Sequence, residues 1–169
     1  VDRGLVWTFD PSERDFHITH IWSAIPDDPV GSILRASQFP WALKVVLHGD
    51  PFFFSRVEDL PAEAEIEIAQ FRRFGTISHL SIPMIAADTF IGLLSFGATR
   101  KARQWPETLV HRSKLVANIF ASAILRKKAE LDLRAAFAEI RGLKERLEEE
   151  NRYLRQEVEV EYRHGAIIG

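Results

Sequence analysis

A chain of 169 residues, 46% of them hydrophobic, is the size of one ordinary domain with an appendage and has the apolar content for a full core. Its 22 basic and 24 acidic residues are interspersed and sum to -2, which excludes the single-sign field that direct nucleic-acid binding requires. The absence of cysteine removes disulfides, cysteine-ligated metals, thiol nucleophiles and thioether-linked chromophores, and no apolar run approaches the ~18 residues of a membrane span.

Without a targeting pattern at its N-terminus, the chain is expected in the cytoplasm, with no membrane as a partner. Its first residue is Val1, so it reads as a piece of a longer protein.

In chain order, Val6, Trp7 and Phe9 lead into a turn at Asp10, Pro11, Ser12 and Asp15, and Phe16 to Ala24 resumes a β pattern, which predicts a hairpin. Pro26 to Asp28 read as a loop. Val30 to Leu47 read as one or two short helical pieces interrupted at Pro40. A strand-like Phe52-Phe53-Phe54 precedes a helix over about Pro61 to Phe74. Glu63 and Glu65 complement that helix's dipole in its first turn, and Gly75 stops it.

Ile77 to Ile85 and Thr89 to Ala98, joined at Ala86, Ala87 and Asp88, predict a second hairpin. Its second run is apolar on both alternating faces, as in a central strand covered from both sides. From about Pro106 to Gly165 the chain reads as helix, with Gly142 inside it, and a rise of ~1.5 Å per residue gives roughly 85 Å. The first part of this helix is expected to bury Leu109, Leu115, Val116, Ile119, Phe120, Ala123 and Ile124 against the sheet.

Beyond Arg126, Leu133, Ile140, Leu147 and Leu154 recur every seven residues. With these at heptad position d, Phe137, Lys144, Asn151 and Val158 fall at a. Leu at d with polar Asn and Lys at a favours a parallel homodimer, with Glu150 at g meeting Arg155 at e of the partner. A single solvated helix with charge pairs is the alternative.

The order hairpin, short helices, Asp59-Leu60-Pro61, helix and second hairpin resembles the GAF domain over about residues 1–126. The resemblance is carried by Ser81-Ile82-Pro83 opposite Phe90-Ile91-Gly92-Leu93 and by Arg103-Gln104-Trp105 leading into the long helix. It implies an α/β (α+β) fold, an antiparallel sheet flanked by helices, with a long C-terminal helix extending into a coiled coil over 127–164. GAF domains commonly begin with a further helix before the first strand, and none is expected between Val1 and the first strand here.

Leu147 to Leu154, Leu-Glu-Glu-Glu-Asn-Arg-Tyr-Leu, with Gly165-Ala166-Ile167-Ile168-Gly169 resembles the linker and first residues of the AAA+ domain in sigma-54-dependent transcriptional activators of the formate hydrogenlyase activator type. That similarity implies a downstream ATPase beginning at 165–169. No Gly-x-x-x-x-Gly-Lys-Ser/Thr loop occurs in the chain itself.

The chemistry-bearing residues show no catalytic constellation. Glu63, Glu65 and Glu67 do not converge, and no acid-base pair is visible. His17 and His20, three apart in a strand, are expected on opposite faces, which speaks against a metal site. His111 lacks the neighbours of a kinase phosphoacceptor and reads as helix surface. His79 shares a strand face with Ser81, opposite Leu80, Ile82 and Met84.

The aromatics Trp22, Trp41, Phe52, Phe53, Phe54, Phe71, Phe74 and Phe96 exceed what a sheet under one helical layer needs. The resemblance implies a ligand cavity between the sheet and the helices of residues 30–75. Trp41, Phe54, Phe71, Phe74, His79 and Ser81 are its candidate lining. No cyclic-nucleotide signature of the Asn-Lys-x-Phe type is present, and a chain without cysteine carries no covalent bilin, so the small-molecule ligand stays unnamed. The expected function is a non-catalytic sensor that signals through a dimeric helix. The alternatives are a GAF sensor of a histidine kinase and a ligand-free dimerisation module.

Overall fold

The computed structural model of the protein describes residues 1–26 and 28–165, with side chains described through 156. The chain divides into two compact units, Val1–Leu125 and Arg126–Gly169. Its elements are β1 (Arg3–Asp10), β2 (Asp15–Ser23), β3 (Ile33–Arg35), α1 (Pro40–Leu47), β4 (Phe52–Phe54), α2 (Glu65–Arg73), β5 (Ser78–Ala86), β6 (Thr89–Ala98) and α3 (Glu107–Gly165). All strand pairs are antiparallel, in the order β3-β2-β1-β6-β5-β4. This is the expected α/β (α+β) fold, an antiparallel sheet flanked by helices with a long C-terminal helix.

Strand alternation sorts the core into two layers. On one face Leu80, Ile82 and Met84 of β5, Leu94 of β6 and Val6 of β1 pack with Trp105, Ala117 and Ala121 of the chain that follows. On the other face lie Leu5, Trp7 and Phe16, together with a cluster of Phe52, Phe54 and Phe71 against α1 and α2. β6, between β1 and β5, is covered on both sides, as its apolar run predicts.

Two positive-φ residues, Ala87 at 47° and Asp88 at 57°, make the two-residue turn between β5 and β6. Gly92 has φ 155° and its backbone runs so close to β1 that a Cβ would lie 1.8 Å from the Trp7 carbonyl oxygen. α2 ends in a Schellman motif. Gly75, at φ 62°, donates to the Arg72 carbonyl, and Thr76 donates to the Phe71 carbonyl at 2.8 Å.

Three expectations need correction. Residues 30–47 contain a strand, β3, ahead of the two expected short helical pieces, a 3-10 turn over Ala36–Gln38 and α1, and Pro40 divides these by opening α1 at its first helical position, where a missing N–H is harmless. The face that α3 buries, within Val1–Leu125, is the small one: Ala117 and Ala121 are fully buried and Ser113 nearly so. Leu115, Val116, Ile119 and Phe120 are exposed, Ile119 at 68%. The sheet surface is already filled by Leu80, Ile82, Met84 and Leu94, so the fully buried contact is made by small side chains, while Leu109 and Ile124, as expected, and Val110 pack partly buried against the same cluster.

The third correction concerns His17 and His20. The β1–β2 register slips at Val6/Trp7, pairing His17 with Thr8 and His20 with Val6. Thr8 and Val6 share a face, so the bulge turns both imidazoles to the same side.

In Arg126–Gly169 the helix carries pairs one turn apart, Glu130 with Lys127 and Arg134 and Lys144 with Glu148. Leu133, Phe137, Ile140, Leu147 and Leu154 are exposed.

Candidate functional site

A cavity lies between the sheet and the α1–α2 layer. β1 supplies Leu5 and Trp7, β2 Phe16, α1 Ala42, Leu43 and Val46, β4 Phe52, α2 Phe71, β5 His79 and Ser81, and β6 Leu93, Ser95 and Gly97. Arg3, Val30, Leu34, Phe39, Phe74 and Thr76 complete the lining. The cavity volume is about 80 Å³. Since one water needs ~10–15 Å³, several waters or a single-ring molecule fit.

The floor is amphipathic by register. One cross-strand row runs Arg3, Gly97, His79, Phe54, and the next runs Leu5, Ser95, Ser81, Phe52. His79 Nε2 is 2.7 Å from Ser81 Oγ, and Ser81 Oγ is 2.8 Å from Ser95 Oγ, a continuous hydrogen-bonded line across two strands. Burial first, and the nearby Arg3 charge second, push His79 down to about 3, so its imidazole is neutral near pH 7.

Arg3 is buried and gives Nε and Nη2 to the two carboxylate oxygens of Asp28 at 2.7 and 2.6 Å. Its Nη1 donates to Thr76 Oγ1 at 3.3 Å. Burial alone would raise Asp28, but hydrogen bonds from Arg3, Ser23 and the Val30 amide outweigh it and hold the carboxyl below the usual range.

The wall is fixed by Glu67. α1 begins after Phe39, whose side chain supplies no cap, leaving the amides of Trp41 and Ala42 without acceptors of their own. Glu67 of α2, fully buried, accepts from both through Oε1, which lies at the positive end of α1. The two helices over the cavity are thereby joined by a polar contact inside an apolar layer.

Of the six candidate lining residues, Phe71, Phe74, His79 and Ser81 border the cavity together. Trp41 does not; its ring packs edge-on against Phe52 with centroids 5.7 Å apart. Nor does Phe54, which is buried against Phe71 at 4.8 Å, its carbonyl accepting from Trp105 Nε1 at 2.9 Å. The excess of aromatics divides between two helical layers, and Trp22 and Phe53 are exposed.

Arg3, Thr76 and Ser95 were not legible as lining. Ser95 carried a signal, a hydroxyl inside the run Phe90 to Phe96, whereas Arg3 reveals its role only through Asp28, 25 residues away. Asp10, Glu13 and His17 bring ligand atoms within 4.8 Å of one another at an exposed turn. There Asp10 Oδ1 already accepts from the Ser12 amide and hydroxyl, and so serves the turn.

Among the residues expected at the helix seam, Leu133, Phe137, Ile140, Leu147 and Leu154 share exposure, and Lys144 is paired with Glu148. Asn151 Nδ2 donates to the Leu147 carbonyl at 3.1 Å. The Val158 side chain and residues 166–169 lie outside the described residues. No helix among the described residues is long and apolar enough to cross a membrane.

The family model for the GAF domain matches residues 1–124. Among solved structures, the blue-light absorbing form of the PixJ GAF domain of Thermosynechococcus elongatus is similar at 20% identity and a TM-score of 0.62, over 80% of each chain. The phycocyanobilin-bound GAF domain of a cyanobacterial phytochrome is similar at 16% identity and 0.65, over 77% of this chain and 78% of that one. A domain of a putative two-component sensor histidine kinase from Sinorhizobium meliloti 1021 gives 16% and 0.61, over 79% and 85%. A comparison with curated protein sequences gives no match.

Proposed function

This chain belongs to the GAF family through residues 1–124, and from that premise we propose that it is the regulatory small-molecule sensor of a sigma-54-dependent transcriptional regulator, signalling through a dimeric helix to an ATPase downstream. The observation that carries the reading is the cavity, which has the six rings of Trp7, Phe16, Phe39, Phe52, Phe71 and Phe74 in its walls and a hydroxyl-bearing floor.

A ligand there touches β5 through His79 and Ser81. The alternate residues of the same strand, Leu80, Ile82 and Met84, bear on Ala117 and Ala121 of α3. Because such packing is tight, a strand displaced on one face is felt by the helix on the other. Binding biases the helix only through differential affinity for two helix arrangements, typically by ~1–3 kcal/mol.

The partner proposed for the helix is a second copy in parallel. The apolar d residues from Leu133 to Leu154 stand exposed in one chain, as does Phe137 at a. The same phase counted back puts Val116 at a and Ile119 at d, both exposed as well. Asn151 would leave its local bond to Leu147 and pair with its twin, fixing register. The ATPase rests on the likeness of Leu147 to Leu154 and of residues 165–169 to activator linkers. A bilin ligand held by a thioether is not part of the proposal, since the chain has no cysteine.

Sedimentation of residues 127–164 at roughly 100 µM, where a few heptads associate, tests the route. Dimer is expected, and a monomer for both the native peptide and the Lys144→Ile/Asn151→Ile form would refute it. The residues following Gly169 test the context, where a phosphate loop supports the regulator and a phosphoacceptor His-box would place the sensor before a histidine kinase.

A further inference from the structure

Resting on the sensor reading, we infer that the cavity selects a neutral, single-ring aromatic molecule whose one polar group is a hydrogen-bond acceptor of the amide or ketone kind, and that it discriminates against the matching carboxylate.

Among the cavity's lining residues, Arg3 and His79 are the ones that can carry a positive charge. The Arg3 guanidinium is held by both oxygens of Asp28 at 2.7 and 2.6 Å, so the pair is close to neutral as a unit. His79 is kept uncharged near pH 7 by its burial. A carboxylate entering this space would lose its hydration and meet no unmatched cation, which is strongly unfavourable.

The donors argue for an acceptor nevertheless. Of the five N–H groups of Arg3, Nε, Nη1 and both on Nη2 have acceptors in Asp28, Thr76 and Phe74. One N–H on Nη1 has none among the described residues. Ser95 and Ser81 share hydrogens with His79 in a line whose direction can reverse, because each hydroxyl both donates and accepts. Ser95 is therefore free to turn a donor toward a ligand carbonyl. Gly97, between Arg3 and His79 in the cross-strand row, leaves the floor open to close approach. The rest of the lining is apolar, and its rings favour a flat aromatic body.

The experiment uses three probes of one shape, benzamide, benzoate and toluene, titrated into the 169-residue chain at pH 7.5 and followed by protein-observed NMR. Benzamide is expected to bind at least ~10-fold more tightly than benzoate, and Ser95→Ala to weaken benzamide by ~5–10-fold with toluene unchanged. Asp28→Asn, which leaves the Arg3 charge unmatched, is expected to reverse the order in favour of benzoate. If that variant does not fold, the Ser95→Ala and native titrations decide alone. Benzoate binding the native chain as tightly as benzamide would overturn the inferred selectivity. Toluene binding with benzamide excluded would overturn the acceptor-binding floor while leaving the sensor reading standing. Failure of all three to bind would remove the receptive cavity, and the sensor reading with it.

Discussion

Lowering the pH from 7.5 to 5 is expected to destabilise the protein through one residue, His79. Its pKa is pushed down from 6.5 to about 3 in the folded state, so between these values the unfolded chain binds a proton that the folded chain does not. Stability therefore falls as the pH drops below about 6.5, with a limiting slope of ~1.4 kcal/mol per pH unit. At pH 5, one and a half units below the unfolded value, the loss is ~2 kcal/mol.

The carboxylates do not confuse this window. Asp2, lowered to about 2 first by the Thr99 amide and then by Arg100 against its own burial, is ionised at pH 5 in both states, and so is Asp28. Their contributions are lost only as the pH falls further, from about 4 downward. Urea unfolding of the native chain and of His79→Asn at pH 7.5, 6 and 5 isolates the effect, since the other histidines are common to both proteins. The native chain is expected to lose ~2 kcal/mol more than the variant by pH 5. Parallel losses in the two proteins, or the His79 imidazole seen by NMR to titrate in the folded state near 6.5, would refute the burial argument and weaken the case for a neutral floor.

Gly92→Ala is expected to unfold the domain or cost more than ~3 kcal/mol, because its Cβ would fall 1.8 Å from a carbonyl oxygen of β1; circular dichroism at 25 °C checks it. Glu67→Ala strands the amides of Trp41 and Ala42 in an apolar layer, and a loss of ~3 kcal/mol is expected in chemical denaturation. Ala117→Leu should cost ~2–3 kcal/mol by overpacking against Leu80, Ile82 and Met84, whereas Ile119→Ala should stay within ~0.5 kcal/mol in a monomer. Replacing the turn residues Ala87 and Asp88 by Asn and Gly should raise stability by ~1 kcal/mol, since both sit at positive φ; the shift in thermal midpoint measures it.

What the sequence made legible depended on whether a feature is local. Both long hairpins follow from alternation, and the stop at Gly75 from the left-handed conformation that a helix end requires. The strand β3 escaped because three residues, with Ile33 and Arg35 exposed, leave no period to read. Strand parity alone sends His17 and His20 to opposite faces, but one bulge, at Thr19, inverts the parity of everything beyond it. Phe71, Phe74, His79 and Ser81 were found from aromatic excess and strand parity together with the family resemblance. Arg3 and Glu67 were not, since each acts on a partner in another element, and a charge destined for burial carries no local mark.

The face that α3 turns away from the sheet is the more hydrophobic one. Hydrophobicity pointed to Leu115, Val116, Ile119 and Phe120 as core, yet the sheet takes Ser113, Ala117 and Ala121, and the larger residues face outward. A monomeric sensor gains nothing from such a surface, because exposed apolar stripes favour association. The same residues placed against a second copy would continue the heptad phase from Leu133 back to Val116. Arg126 at d and Glu130 at a would then stand as the polar layers between two apolar stretches. That interruption is where register is least constrained by apolar packing. A signal arriving through β5 at Ala117 and Ala121 would meet the seam immediately before its weakest segment. Substituting Leu for both Arg126 and Glu130 should therefore tighten the proposed dimer, as sedimentation would read it, and reduce any ligand-dependent change in helix cross-linking. Cross-linking that responds to ligand as strongly in the substituted chain as in the native one would place the variable segment elsewhere.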